Sequence, residues 1–179
     1  MSSMEKVLVV VDMQNDFVDG ALGTKEAEGI VDHVVSKIKD FNGRIILTLD
    51  THGQDYLDTA EGKKLPVPHC IKMTQGWLLN EKVFEALSGK DYKFIEKKTF
   101  GAKKLVKELA KRKGEGDMEI EFAGLCTDIC VVSNALLVKA YFPEVKISVD
   151  AAGCAGVTPE SHKAALETMK MCQIDVIEP

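Results

Sequence analysis

The sequence predicts an α/β protein in which helices cover both faces of a parallel sheet. Apolar, β-branched segments recur along the chain, and helix-like segments separate them. Right-handed crossovers between parallel strands narrow this to a doubly wound, three-layer α/β/α sandwich with a six-stranded parallel sheet. Because 179 residues suffice for one well-buried domain and are few for two, we expect residues 1–179 to form a single domain.

Six segments have the composition of buried strands, and four have the periodicity of helices. The first two strand segments, KVLVVVD and RIILTLD, each end in an aspartate and flank a helical pattern, which is typical of a βαβ unit. The expected strands are 6–12, 44–50, 92–97, 118–124, 145–153 and 173–179. The expected helices are 29–41, 103–112, 128–140 and 159–171. Residues 51–79 show little periodicity, and a loop of this length is usually functional.

The composition argues against several classes of partner. Lysines are scattered among acids in a chain of net charge -5, so no basic stripe is present and we expect no nucleic acid partner. Asp12, Asp16 and Asp19 interrupt the first apolar segment where a signal peptide would need continuity, so we expect a cytoplasmic protein without a membrane partner. Five cysteines, an odd number, favour a reducing compartment over a disulfide framework.

Reactive side chains lie at or just beyond the ends of four predicted strands. They are the side chains of Asp12, Asp50 and Lys97, and those of Cys126 and Cys130 in the turn after the fourth strand. Ligands of doubly wound sheets bind at the carboxyl ends of the strands, so these groups should meet at one edge. An acid, an amine and a thiol together indicate a candidate catalytic site.

Cys130 is the main candidate nucleophile, although cysteine more often packs as a small buried residue. Thr127 is a favourable N-cap and would make Cys130 the third helical residue, so we expect the helix dipole to lower the pKa of its thiol. Cys126 would precede the cap, and we assign it a backbone role. Asp12 either caps a turn or, partly desolvated and with a raised pKa, exchanges a proton with the thiol. Lys97 either favours the thiolate or lies in solvent.

A second set of residues fits a metal site. Asp50 and His52 lie in the motif DTH, and His69 follows two nearby prolines in the motif PVPHC. Two imidazoles and a carboxylate suit zinc, iron or manganese, with open positions for water. Glu61, in the intervening loop, is a further candidate ligand. The alternative is that the first two residues form a local turn and that His69 lies on the surface.

These motifs resemble those of the isochorismatase-like cysteine hydrolase superfamily, and within it the nicotinamidase/pyrazinamidase branch. VVDMQNDF is similar to the opening strand of that family, GLCTDICV to its nucleophile turn, and DTH with PHC to its metal site. The resemblance spans nearly the whole chain. It implies that Cys130 is the nucleophile, that Asp12 is its base and that Lys97, rather than Lys98, completes the triad.

The resemblance also implies a cis peptide bond before Cys126, with the amides of Cys126 and Cys130 forming an oxyanion hole. It implies a divalent metal, zinc before iron or manganese, and a homo-oligomer. We also expect Phe17 and Trp77 to line the substrate pocket. The chain departs from the usual family pattern at Met73, where relatives commonly have glycine, and in the segment Phe100-Gly101-Ala102.

The predicted function is that of a cysteine-dependent amidohydrolase, nicotinamidase-like, which converts a small heteroaromatic amide into an acid and ammonia through a thioester. One alternative is a carbamoyl or ureido C–N hydrolase of the same superfamily. The other is a non-catalytic metal-binding or redox-sensing protein in which Cys126 and Cys130 are sensor thiols. An isochorismatase proper is disfavoured, because vinyl-ether hydrolysis needs no thiol.

Overall fold

A computed structural model describes residues 4–111 and 118–179 of the chain. At their centre lies a six-stranded, all-parallel sheet with the strand order β3-β2-β1-β4-β5-β6. This confirms the predicted fold class. The strands are β1 (Glu5–Val11), β2 (Arg44–Asp50), β3 (Tyr92–Lys97), β4 (Met118–Leu125), β5 (Lys146–Ala155) and β6 (Asp175–Ile177).

Helices cover both faces of the sheet. They are α1 (Asn15–Val18), α2 (Lys25–Gly29), α3 (Val31–Asp40), α4 (Ala60–Lys64), α5 (Glu81–Glu85), α6 (Lys103–Ala110), α7 (Val132–Tyr141) and α8 (Pro159–Met171). A 3-10 turn (Tyr56–Asp58) precedes α4, and a π turn (Thr127–Val131) leads into α7.

The central strand β1 contributes to two hydrophobic cores, one on each face of the sheet. Val7, Val9 and Val11 pack into the core beneath α6, α7 and α8. Leu8 and Val10, which alternate with them, pack into the core beneath α3 and α5. All five side chains are fully buried. Successive side chains of a strand point to opposite faces, so a continuous apolar run is what a strand covered on both faces requires.

The element boundaries differ from the sequence-based expectation at several places. The expected helix 29–41 corresponds to α3, which follows the short helix α2, and residue 112, the expected end of the helix at 103–112, lies outside the described residues. Segment 51–79 contains a 3-10 turn and α4. Helices as short as α1, α4 and α5 span a single turn, so they show no periodicity from which they could be predicted.

The strand order creates a crevice between β1 and β4. From β1 the chain proceeds outward through β2 and β3, whereas β4, on the other side of β1, is followed outward by β5 and β6. Such a topological switch point opens a gap at the carboxyl ends of the strands, where ligands bind. None of the helices within residues 4–111 and 118–179 has the length and apolar character that a bilayer crossing requires.

Candidate active site

Three of the predicted residues meet at the carboxyl ends of β1, β3 and β4. Asp12 follows β1, Lys97 is the last residue of β3, and Cys130 lies in the π turn after β4. The Lys97 Nζ atom is 2.7 Å from Asp12 Oδ2 and 3.2 Å from Cys130 Sγ. All three residues are buried, whereas Lys98 is exposed. The structure therefore brings an acid, an amine and a thiol into direct contact.

Burial dominates the protonation behaviour of the acid and the thiol. It raises the pKa of Asp12 despite the opposing charge of Lys97, as the sequence predicted. The expectation for Cys130 was wrong: burial and the adjacent Asp12 hold the pKa of its thiol well above the usual value, and Lys97 opposes them without prevailing. For Lys97, burial favours the neutral amine, but the neighbouring acidic groups, Asp12 foremost, together outweigh burial and raise the pKa. Lys97 is thus a basic amine in contact with two buried acidic groups, both of which have a raised pKa.

The turn that carries Cys130 starts one residue earlier than expected. Cys126, not Thr127, occupies the N-cap position, so Cys130 is the fourth residue of the turn. The Thr127 hydroxyl instead hydrogen-bonds with His162 Nδ1, 2.7 Å away on α8. The proposed capping by Thr127 was therefore wrong, because a tertiary partner takes the hydroxyl that would have capped the turn.

The backbone around Cys126 has the form that the resemblance implied. The peptide bond between Leu125 and Cys126 is cis, which confirms that expectation. The Cys126 carbonyl accepts hydrogen bonds from the amides of Ile129 (3.1 Å) and Val131 (3.0 Å). Among the described hydrogen bonds, the amide of Cys130, which lies between Ile129 and Val131 in the sequence, does not donate to the Cys126 carbonyl.

Four side chains of the types that can bind a metal ion converge beside this cluster: Asp50, His52, Glu61 and His69. One ligand atom from each lies within 4.8 Å of every other. His52 Nε2 lies 2.9 Å from Asp50 Oδ2 and 3.6 Å from Glu61 Oε1, and His69 Nε2 lies 3.5 Å and 3.6 Å from the same oxygens. The imidazole of His69 also contacts the carbonyl of Val67 through Nδ1 at 2.7 Å, which leaves Nε2 free to face the other donors. The structure thus gathers all four predicted ligands, including Glu61.

Asp50 connects this candidate metal site to the thiol cluster of Asp12, Lys97 and Cys130. Its Oδ1 atom lies 3.3 Å from Lys97 Nζ, while its Oδ2 atom faces the two histidines. Burial would raise the pKa of Asp50, but hydrogen bonds from His52 and His69 and the charge of Lys97 outweigh burial and lower it. Asp50 is therefore an anion that two groups of residues share.

A cavity of about 540 Å³ opens onto both groups. Cys130 and Cys126 line it on one side and Asp50, His52, Glu61 and His69 on another, together with apolar side chains that include Phe17, Ile129 and Phe100. Phe17 therefore lies where the sequence placed it. The expectation for Trp77 was wrong: among the described residues, those that line this cavity do not include Trp77. Its indole Nε1 donates to Thr51 Oγ1 at 2.9 Å, and its ring packs against the core.

Sequence reasoning missed three buried polar residues that hold the site. The Thr48 hydroxyl donates to Asp12 Oδ1 at 2.7 Å. The Gln14 side chain pairs with the backbone of Asp50, accepting from its amide at 2.7 Å and donating to its carbonyl at 2.8 Å. Asn134 donates to the carbonyl of Cys130 at 2.8 Å. The available signal was a polar residue in an otherwise apolar segment, as Thr48 is in RIILTLD.

The fold and the site together define a hydrolase of the doubly wound α/β class. Residues 6–178 match the sequence model of the family described as Isochorismatase domain, and the chain belongs to the isochorismatase family. An uncharacterized isochorismatase family protein of Bacillus subtilis, PncA, is 31% identical over 91% of this chain and 93% of its own length. A nicotinamidase/pyrazinamidase of Mycobacterium tuberculosis is 26% identical over 96% and 98%.

The solved structures agree with the sequence comparison. A crystal structure of nicotinamidase/pyrazinamidase PncA from Bacillus subtilis has a TM-score of 0.83 and 30% sequence identity to this chain. The match covers 98% of this chain and 100% of the other. The likeness thus extends over the whole sheet and its helical layers.

Proposed function

We propose that this protein is a cysteine-dependent amidohydrolase of the nicotinamidase type, which hydrolyses a small heteroaromatic amide to an acid and ammonia. The observation that carries the proposal is the contact of Lys97 with both Asp12 (2.7 Å) and Cys130 (3.2 Å), beside a cavity that Cys130 lines. Relatives named nicotinamidase and pyrazinamidase, matched over nearly their whole lengths, support the substrate class.

In the first half of the reaction, Asp12 accepts the thiol proton while Cys130 Sγ attacks the amide carbonyl. The raised pKa of Asp12 makes its carboxylate a stronger base, which suits a thiol whose pKa is also raised. Lys97 stabilises the developing thiolate because its ammonium group already contacts Sγ. The amides of Cys126 and Cys130 stabilise the oxyanion of the tetrahedral intermediate.

In the second half, the C–N bond breaks and ammonia leaves with the proton that Asp12 took. Water then adds to the thioester, Asp12 accepts one of its protons, and the acid is released as the thiol regains that proton. Every proton transfer thus uses one carboxylate. The Thr48 hydroxyl, at 2.7 Å from Oδ1, holds this carboxylate so that Oδ2 faces Lys97.

We also propose that Asp50, His52, His69 and Glu61 bind a divalent metal ion, with zinc expected before iron or manganese. The donor set fits: two imidazole nitrogens and two carboxylate oxygens within 4.8 Å match the ligands and size of a first-row metal site. A bound ion would orient a ring nitrogen of the substrate or supply the water. We favour substrate orientation, because the four residues line the same cavity as Cys130.

The decisive experiment is a screen of ammonia release from nicotinamide, pyrazinamide and a panel of ureido and carbamoyl compounds. Rapid turnover of the aromatic amides supports the proposal. Turnover confined to ureido compounds would contradict the proposal and would favour a carbamoyl or ureido C–N hydrolase. Alkylation of Cys130 without turnover of any compound would favour a sensor protein.

We further propose that residues 1–179 act as one domain and that the chain forms a homo-oligomer in the cytoplasm. Large apolar side chains remain exposed, among them Phe84 (54%), Phe100 (47%) and Tyr141 (61%), and such side chains are common where copies of a chain meet. Light scattering coupled to size-exclusion chromatography tests the oligomer. A monomeric mass at micromolar concentration would contradict it.

A further inference from the structure

The buried side chain of Asn134 joins the nucleophile turn to the segment that follows Lys97. Its Nδ2 atom donates to the carbonyl of Cys130 at 2.8 Å and to the carbonyl of Phe100 at 3.1 Å. Its Oδ1 atom accepts from the amide of Ala102 at 2.7 Å. The side chain is fully buried, and both of its amide hydrogens have acceptors. The backbone of segment 100–102 is therefore tied to the backbone of the nucleophile.

Close packing on α7 supplements these hydrogen bonds. A Cβ atom placed on Gly101 would lie 3.3 Å from Leu137 Cδ2 and 3.6 Å from the carbonyl oxygen of Ser133. A contact of 3.3 Å is tighter than most Cβ contacts, so a side chain here would require Leu137 or the segment itself to shift by a few tenths of an ångström. Glycine lets the segment lie against the helix that carries Asn134.

The segment held in this way forms part of the cavity wall. Phe100 lines the cavity together with Cys130, and 47% of its side chain is exposed. Because nearly half of Phe100 is exposed, the hydrogen bonds of Asn134 to the carbonyl of Phe100 and the amide of Ala102 help to set where its ring lies. The distance between the reactive sulfur and the Phe100 ring therefore depends in part on one side-chain amide.

We propose that Asn134 is a positioning residue that determines specificity, because it sets the position of the Phe100 wall relative to Cys130. This inference rests on the proposed amidase function and names the part of the pocket that grips an aromatic ring. A displaced wall weakens the contact with a flat ring and does not alter a small acyclic amide, which cannot reach it. Among the described hydrogen bonds, the Asn134 side chain contacts the nucleophile only at its backbone carbonyl and does not contact the thiol, Asp12 or Lys97, so we expect its loss to affect the wall more than the chemical step.

The first test compares Asn134→Ala with wild type on nicotinamide and on propionamide. We expect the KM for nicotinamide to rise about tenfold, which is typical for the loss of one apolar contact in a pocket, while kcat stays within about threefold. The rate with propionamide should also stay within about threefold. Equal losses on both amides, or a fall in kcat at constant KM, would overturn the proposal.

A second variant perturbs the same wall at Gly101, where the segment packs against α7. Gly101→Ala leaves Asn134 intact and should reproduce the selective rise in the KM for nicotinamide. Gly29→Ala is the matched control, since a Cβ at Gly29 meets nothing within 4 Å. Should Asn134→Ala fail to fold, Gly101→Ala decides the question: unchanged selectivity in it refutes a role for the wall.

Alkylation of Cys130 separates this inference from the proposed function. Peptide mass spectrometry gives the rate at which iodoacetamide and its N-phenyl analogue modify Cys130 in the whole protein. In Asn134→Ala and Gly101→Ala, we expect the ratio of the N-phenyl rate to the iodoacetamide rate to fall about tenfold, with iodoacetamide alone little changed. An unchanged ratio overturns the inference. If wild type hydrolyses no amide but the ratio falls, the proposed function fails and the positioning role of Asn134 stands.

Discussion

Asp50 and Asp150 are both buried aspartates that contact a histidine and a lysine, yet only one belongs to a candidate active site. Asp50 contacts His52 at 2.9 Å and Lys97 at 3.3 Å. Asp150 contacts His33 at 2.8 Å and Lys37 at 3.0 Å, and Lys37 also pairs with Glu121.

The two clusters differ in their solvent exposure and in what lies beside them. The side chains of His52 and Lys97 are 7% and 1% exposed, whereas those of His33 and Lys37 are 44% and 21% exposed. Around Asp50, the strand ends add a thiol and a second acid. The Asp150 cluster lies against α3 instead, and among the described residues it contributes no metal-binding group of three or more donors. The Asp50 cluster is shielded from solvent and lies beside a nucleophile that lines a cavity, and these two properties distinguish a candidate reactive site from a charged cluster at the surface.

The largest expected effect comes from removing the thiol, the group that the Asp150 cluster lacks. Cys130→Ala should lower amide turnover at least 10³-fold, roughly the scale on which loss of a covalent nucleophile acts. Cys126→Ala should retain turnover within about threefold, because its contribution is a backbone amide that truncation leaves in place. Ammonia release measures both. Near-normal turnover in Cys130→Ala would eliminate the thioester mechanism, and an inactive, well-folded Cys126→Ala would reassign the nucleophile.

The next largest expected effect on turnover comes from replacing Asp12, the proposed general base. Asp12→Asn removes the proton acceptor while keeping the size of the side chain and should lower kcat about 10³-fold, within the usual range for general-base catalysis. Asp150→Asn is the matched control, a buried aspartate with similar partners, and should leave kcat unchanged. If both variants lost activity equally, the Asp150 cluster would have to be coupled to the site.

A third test uses the difference in potential metal ligands between the Asp50 cluster and the Asp150 cluster. Replacing His52 and His69 together by alanine should lower the metal content of the unstripped protein at least tenfold, because half of the donor atoms are lost. His33→Ala, which removes the histidine of the other cluster, should leave metal content unchanged. Inductively coupled plasma mass spectrometry measures both. Metal retained by the double variant would mean that the ion binds elsewhere.

The smallest effect is on stability and depends on pH. Burial would raise the pKa of Asp150, but hydrogen bonds from His33 and Lys37 and the charge of Lys37 lower it. Because the folded pKa lies below the unfolded value, the ionised Asp150 stabilises the protein above pH 3.8, and that stabilisation is lost as the pH falls through the folded pKa. Asp150→Asn should therefore lower the free energy of unfolding by about 2 kcal/mol at pH 7.

Urea denaturation at pH 7 and at pH 3 measures this difference. The gap between Asp150→Asn and wild type should narrow at the lower pH. A gap that stays constant would show that the neutral side chain, rather than its charge, accounts for the lost stability.

Strand tips and motif residues could be read from the sequence, because each depends on local pattern. The segments KVLVVVD and RIILTLD predicted both strands and the acids at their ends. The expectations that proved wrong concerned properties that depend on contacts between residues distant in the sequence. The pKa of the Cys130 thiol was expected to fall because of the helix dipole, a local effect, but burial by the assembled sheet and helices prevails.

The supporting hydrogen bonds were missed for the same reason. Gln14 pairs with the backbone of Asp50, and Asn134 with that of Phe100, partners at least 30 residues away along the chain. The exposed Met73, at a position where glycine was the family expectation, has a φ of 70°, the left-handed region that favours glycine. A single sequence shows the unusual residue there but not the backbone conformation that makes it unusual.

Because Asp50 directs one oxygen to Lys97 and the other to the two histidines, the four proposed metal ligands are not equivalent targets for protein engineering. Glu61, which is half-buried on α4 and makes no contact with Lys97 among the described ion pairs, is the proposed ligand whose exchange would leave the thiol cluster unchanged. Any exchange at Asp50 also removes a counter-charge of Lys97. A library designed to alter metal preference should therefore randomise Glu61 and keep Asp50 fixed.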